Sequence, residues 1–319
     1  CRTVNGGENT QIPLFLSSMT SKDYGDELVI HYKLTHTNYI AEENIVSKGE
    51  IKIKYQPWQQ GPVAKLDLKM PNIRGLSKLT FVLKTLEGKI LHRNFMHFEV
   101  HSDEELKGME VIALNPKSFS NSSWSKKNWQ IFDGKKINGT GSGFFEYEFS
   151  FPEKFNNNKF KKTYFIIEAS AKELFDKDKE GKDYIDAGID YMKGSKVSPS
   201  KNPNSYPMTD SKKFPSKIQI FINGKKKNEL ILIDDPADHR GILSWHHQKR
   251  SETSEPPSLN EAGSYGYLIK IPVSKIEFDN AIKRGKISIR LKTEDGGGIA
   301  IYGDSFGRYP INPSLVFKK

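Results

Sequence analysis

The sequence predicts an all-β protein: an immunoglobulin-like sandwich followed by a longer jelly-roll sandwich. Three observations predict it. Short alternating or β-branched runs, separated by Gly, Pro and Asn, recur along the chain. Convincing long amphipathic helices are missing, and nothing reads as a βαβ unit, which argues against a Rossmann sheet or a (β/α)8 barrel. Two tight-turn signals, Leu86-Glu87-Gly88-Lys89 and Asn223-Gly224, sit between such runs. At 319 residues the chain is long enough for about two domains, each with its own core.

In the first domain, residues 1–107, the expected strands are Ile12 to Leu16, Glu27 to Thr37, Gly49 to Lys54, Ala64 to Leu68, Lys78 to Lys84 and Ile90 to Val100. Six or seven strands in about 100 residues suit an immunoglobulin-like sandwich. The charged run His101 to Lys107 closes it. In the second domain, residues 108–319, Phe144 to Phe151 alternates as FFEYEFSF and Tyr164 to Ala169 reads as a buried strand. Ile218 to Ile222 turns through Asn223-Gly224 into Leu230 to Ile233. Ser264 to Val273, Lys286 to Lys292, Gly298 to Tyr302 and Ser314 to Phe317 complete the set. Short helices are expected at Ser170 to Phe175 and Lys275 to Ile282. Two long loops, Asp176 to Phe214 and Gln248 to Asn260, interrupt this domain, and loops of that length in a compact domain are usually functional.

Composition narrows the function classes. Hydrophobic residues at 36% and aromatics at 11% exclude a disordered chain, and no apolar run reaches the roughly 18 residues of a membrane span. The net charge is +10, and it is carried by lysine, with only eight arginines. Residues 1–107 hold 14 basic and 13 acidic side chains, so the excess lies in the second domain. The lysines come in pairs and one triple, Lys225 to Lys227, without the arginine clusters and interleaved aromatics of a nucleic-acid surface. Such lysines protect sheet edges, and weak attraction to an anionic polysaccharide fits the same charge. The single cysteine is Cys1. It reads either as the lipidated first residue of a bacterial lipoprotein or as a cut within a longer chain.

Candidate chemistry is sparse. Asp176, Asp178 and Glu180, with Gly181, open like a calcium loop, but the twelfth position, which needs a bidentate carboxylate, is Ala187. A structural calcium held through nearby Asp183, Asp186 or Asp190 competes with a solvated acidic loop, the reading the residues favour. His239, His246 and His247 lack zinc spacing. A Ser244–His246–Asp238 triad lacks a nucleophile elbow. Glu146, Glu148 and Glu261 are carboxylates with no motif pairing any two for glycoside hydrolysis. Asn121-Ser122-Ser123 and Asn138-Gly139-Thr140 match the glycosylation acceptor pattern.

More informative is the run from Asp234 to Gln248, DDPADHRGILSWHHQ, with Leu259 to Tyr267, LNEAGSYGY. Arg240, Trp245, His246, Glu261 and Tyr265 supply what a carbohydrate site uses, a flat apolar face and polar groups for hydroxyls. The competing structural reading makes Trp245 a core residue and ties Arg240 to Asp238 or Glu261.

Several motifs resemble the C-terminal region of glycoside hydrolase family 2 enzymes of the Bacteroidetes. They are Trp124 to Trp129, Asn138 to Tyr147, Asn202 to Met208, the DHRGILSWHHQ and EAGSYGY runs, and Ile301-Tyr302-Gly303 with Gly307-Arg308-Tyr309-Pro310. The first domain, with Asn5 to Phe15 and Arg93-Asn94-Phe95, is similar to the segment after that family's catalytic barrel. The resemblance implies an immunoglobulin-like domain and a galactose-binding-like sandwich from a retaining β-galactosidase or β-glucuronidase. The family's catalytic glutamates lie on a barrel that this chain lacks, so no catalytic residue carries over and no cofactor is expected. The expected partners are carbohydrate and the barrel of the same parent chain, in the periplasm or at the surface of a bacterium. The alternative is a free-standing sugar-binding lipoprotein anchored through Cys1. A third class, a lyase or hydrolase on the jelly roll itself, needs His246, Tyr265 and Arg240 together in a cleft.

Overall fold

A computed structural model describes residues 2–152, 155, 159–174, 214–235 and 266–319. It is all-β, built from layered sheets. The first five-stranded sheet has the order β1 (Arg2–Asn5), β7 (Ile90–His101), β6 (Gly75–Thr85), β3 (Glu27–Asn38), β4 (Glu43–Lys54). Only β1 runs parallel to its neighbour. Facing it is the two-stranded sheet of β2 (Asn9–Ser17) and β5 (Gln60–Lys69). Antiparallel β3, β6 and β7 against a β2–β5 pair are the layers of an immunoglobulin-like sandwich. Leu34, Leu79, Phe98 and Val100 meet Ile12, Leu66, Leu68 and Met70 between the layers. Each such side chain contributes about 1.5–3 kcal/mol on burial. The β6–β7 turn forms at the expected residues, with Gly88 at φ +88° and its N–H donating to the Thr85 carbonyl.

The later strands build a second pair of sheets. One has the order β15 (Lys225–Leu232), β14 (Ser216–Ile222), β17 (Lys286–Thr293), β12 (Gly143–Ser150), β9 (Asn121–Trp124). The other contains β10 (Lys127–Ile131), β11 (Lys136–Thr140), β18 (Ile299–Tyr302), β13 (Lys162–Ser170), β19 (Ser314–Lys318) and β8 (Met109–Ala113) in that order. Strand β16 (Tyr267–Val273) pairs with the other edge of β13. The chain crosses repeatedly between the two sheets, as in a jelly roll. The alternation of FFEYEFSF places Phe145, Tyr147 and Phe149 in the core with Phe165, Ile167, Ile220, Ile289 and Ile301. Asn223 (φ 49°) and Gly224 (φ 78°) make the expected left-handed hairpin turn.

The one helix among the described residues, α1 (Lys275–Lys283), starts at the expected place. Ser274 and Glu277 form a reciprocal capping box, and Phe278 and Ala281 are its buried face. The helix expected at Ser170 to Phe175 does not form over its described residues, 170–174. Ser170 is the last residue of β13, and Lys172 and Glu173 are instead tied to Asp235. A further cluster joins the two sandwiches: Tyr39, Ile40 and Leu76 pack with Ile166, Tyr309, Ile311 and Val316.

Candidate carbohydrate-binding face

Strand β13 positions the site by alternation. Phe165, Ile167 and Ala169 point into the core, so Tyr164, Ile166, Glu168 and Ser170 take the opposite, outer face of the sheet. The first sandwich covers the Tyr164–Ile166 end of that face. Beyond it, register aligns Trp129, Asn138, Ala300 and Ser170 in one row across β10, β11, β18 and β13. Three strand spacings make the row about 14 Å long. The next row runs Ile131, Lys136, Tyr302, Glu168.

These rows are polar and aromatic, yet largely buried. Ser170 Oγ lies 3.1 Å from the Tyr302 hydroxyl. Lys172 Nζ donates to Asp235 Oδ2 at 2.9 Å and stands 5.9 Å from the Trp129 ring centre. Lys127 Nζ is 5.3 Å from the same ring, and Lys136 Nζ is 4.5 Å from that of Tyr302. Asn138 is fully buried, and neither end of its amide has a hydrogen-bond partner among the described residues. Its position in β11 also removes it as a glycosylation acceptor in the folded protein.

Three buried carboxylates organise the surroundings. Asp234 Oδ1 accepts the Phe214 N–H at 2.9 Å, and Asp235 Oδ2 accepts that of Glu173 at 3.1 Å. Glu168 accepts the backbone N–H groups of Gly266, Arg308 and Tyr309, each at 2.9 Å. Complete burial pushes the Glu168 carboxyl up to about 7, against the opposing pull of those N–H donors and of the Arg308 guanidinium. Burial, with the Asp235 and Glu168 charges adding to it, raises the Tyr302 hydroxyl well above its ordinary value. Gly266 fits because the chain passes against β13: an added Cβ would lie 2.8 Å from the Ala169 backbone and 2.9 Å from the Tyr302 ring.

The sequence-derived sugar residues Arg240, Trp245, His246, Glu261 and Tyr265 lie outside the described residues, as do the calcium candidates Asp176, Asp178 and Glu180. The residues that bracket them are described. Glu173 and Phe214 flank the first long segment, Asp235 and Gly266 the second; Glu173, Phe214 and Gly266 are held by Asp235, Asp234 and Glu168 in turn, and Asp235 by the Lys172 ammonium. Both segments therefore leave and rejoin the fold beside the Trp129–Tyr302 face. Among the described residues no cluster of His, Cys, Asp and Glu is arranged to hold a metal ion. No helix among them is long and apolar enough to cross a membrane.

Two other places have less to offer chemically. Glu146 is occupied by Arg290 Nη2 at 2.8 Å and by the Ser288 hydroxyl, and Glu148 by Lys286 at 2.9 Å, so both tie strands together. A cavity of about 780 Å³ opens in the first sandwich between β2 and the larger sheet, lined by Leu14, Phe15, Leu28, Ile30, Phe81 and Leu83. It is a largely apolar trough left where two strands face five, with Ser17, Ser18, Tyr55, His92 and Asn94 among its polar lining residues.

The sequence pattern did not single out Trp129, Asn138, Tyr302, Glu168 or Lys172 as a site. Several sit inside the family 2-like motifs, but short runs such as KNWQI and KINGT do not reveal which face meets the other sheet.

The fold and this face define a two-sandwich β protein with a polar, aromatic surface on its second sandwich. No family model matches the chain, and no curated protein matches it. Among solved structures, the chain is similar to a Bacteroides uniformis β-glucuronidase, with 11% identity and a TM-score of 0.19 over 94% of this chain and 28% of that one. A SusE-like protein gives 7% identity and a TM-score of 0.20, covering 99% of this chain and 94% of its own. The N-terminal CBM22-1–CBM22-2 tandem domain of a Paenibacillus barcinonensis protein gives 6% and 0.19, covering 98% and 79%. The chain thus spans 28% of the glucuronidase's length. TM-scores this low assign neither fold nor function.

Proposed function

We propose that this chain is the non-catalytic C-terminal portion of a family 2 β-glycosidase, divided near residue 107, and that its second sandwich presents a carbohydrate-binding surface. The family assignment rests on the sequence motifs. The observation that carries the binding reading is that the described residues flanking both long segments, Glu173, Phe214, Asp235 and Gly266, are anchored beside the Trp129–Tyr302 face. Arg240, Trp245, His246, Glu261 and Tyr265 travel on a segment whose two ends are fixed there by Asp235 and Glu168. Trp129 supplies a flat ring on the fixed sheet, and the loop residues supply a second ring and hydroxyl partners. The first sandwich serves as a buttress toward the catalytic barrel of the parent chain, in the periplasm or at the surface of a bacterium.

Two measurements test this. The isolated chain is expected to hydrolyse no nitrophenyl β-glycoside; turnover that persists through purification and vanishes with a single Glu→Gln change overturns the non-catalytic assignment. Affinity electrophoresis against soluble polysaccharides is expected to show retardation that Trp129→Ala weakens by about tenfold, as loss of a stacking ring does. Migration unchanged by every polysaccharide overturns the binding reading.

A further inference from the structure

We infer that Asn138 is a binding residue, and that the group it takes is a vicinal diol of a sugar ring stacked on Trp129. The inference rests on the carbohydrate reading of this face and specifies what the face recognises. Asn138 is fully buried with both ends of its amide unpartnered among the described residues. A buried carboxamide in that state is costly, because it has lost water at both an acceptor and a donor. Its strand neighbours on the same face are Trp129 on one side and Ala300 on the other. Alanine offers the amide no hydrogen-bonding side chain on that side, and tryptophan offers it a flat apolar ring on the other. A partner that satisfies Asn138 must present a donor and an acceptor side by side. Two adjacent ring hydroxyls do so, one donating to Oδ1 and the other accepting from Nδ2.

The site has a cover. Lys172 follows the end of β13, yet its ammonium stands 5.9 Å from the Trp129 ring, three strands away. Its backbone lies against Gly297 and Gly298, just before β18, with its N–H donating to the Gly297 carbonyl at 3.1 Å, and Asp235 holds the ammonium at 2.9 Å. Sugar binding displaces this ammonium from the ring face, and the sugar ring takes its place over Trp129.

The test uses the full chain with defined glycans, read by calorimetry. Xylohexaose and cellohexaose carry free 2,3-diols on their internal residues. A long β-1,3-glucan has no vicinal pair within its chain. The expected result is binding of the first two, at least about tenfold weaker binding of the β-1,3-glucan, and a similar loss for Asn138→Leu on the diol glycans. The melting temperature of that variant is expected to equal or exceed that of the unaltered chain, because an unpaired buried amide has been removed. Equal affinity for the β-1,3-glucan, or full affinity in Asn138→Leu, overturns the assignment while leaving the broader carbohydrate reading intact. A lower melting temperature with unchanged sugar affinity makes Asn138 structural and also overturns it. Absence of binding to any glycan removes both readings together. Should Asn138→Leu fail to fold, the glycan preference of the unaltered chain decides: equal affinities overturn the assignment, and the diol preference with its loss in Trp129→Ala upholds it.

Discussion

Acidification should destabilise this protein through two histidines of the first sandwich, with Glu168 pulling the other way. Burial, together with the Arg308 and Lys78 charges, drives His97 down to about 3, and burial drives His36 down to about 4. Neither Nε2 has a hydrogen-bond partner among the described residues, while His36 Nδ1 lies 2.9 Å from Ser77 Oγ. Both rings titrate near 6.5 when unfolded. Between pH 6.5 and about 4.5 the unfolded chain therefore holds more histidine protons, and each ring withdraws about 1.4 kcal/mol per pH unit as pH falls. Glu168 has the reverse sign: its folded value of about 7 exceeds the ordinary 4.5, so its contribution is largest at low pH and is lost as pH rises through 7. Two histidine slopes against one glutamate slope leave a net loss of about 1.4 kcal/mol per pH unit, or about 3 kcal/mol across the window. Urea unfolding at pH 7.5, 6.5 and 5 is the assay. Stability should peak near pH 6.5 and fall below it, and His97→Gln should bring the acid-side slope close to zero. If the sandwiches unfold in separate transitions, the first should lose about 2.7 kcal/mol per pH unit while the second gains about 1.4. A His97→Gln variant that keeps the unaltered slope refutes the reasoning.

Other substitutions probe the face and its supports. Asp235→Ala removes the buried carboxylate shared by the Lys172 ammonium and the Glu173 N–H and should cost about 3–5 kcal/mol, read as a drop in melting temperature. Gly266→Ala forces a Cβ against the Ala169 backbone and should cost about 1–3 kcal/mol in urea unfolding. Ser274→Ala removes the cap of α1 and should cost about 1 kcal/mol by the same measurement. Trp245→Ala should weaken glycan binding about tenfold without lowering the melting temperature, and Lys226→Ala should change neither; a Trp245→Ala variant that melts marks Trp245 as core.

The parts of the fold written in strong alternation were legible. FFEYEFSF, the β13 run and the Asn223-Gly224 hairpin formed as expected because their apolar faces are wide and their turns leave one conformation. Strands β8 to β11 were not anticipated. They are four or five residues long, and β9 (NSSW) and β11 (KINGT) carry Ser or Gly within them, so no hydrophobic period emerges in so short a window. The amino-terminal half of β15 was missed for a related reason: Lys225, Lys226 and Lys227 sit on an edge strand, where charge guards an open row of backbone groups. Ser170 to Phe175 read as a short helix because its apolar spacing is ambiguous at that length. The tie from Lys172 and Glu173 to Asp235 lies 62 or 63 residues away in sequence, and no local pattern contains it.

That distant tie explains why a buried face carries so many ionisable groups. Placing Glu168, Lys172, Asp234 and Asp235 out of water is expensive unless each is bonded. Here the bonds come chiefly from the backbone beside the two long segments, at Glu173, Phe214 and Gly266, and from the Lys172 ammonium. These bonds are made when those positions stand in this arrangement on the sheet, and Glu168 is held in addition by the Arg308 and Tyr309 N–H groups. The cost of burial becomes a requirement on where the segments begin and end, and leaves their lengths and interior sequences unconstrained. A scaffold of this kind holds Trp129, Asn138 and Tyr302 on the sheet beside the anchored residues Glu173, Phe214, Asp235 and Gly266.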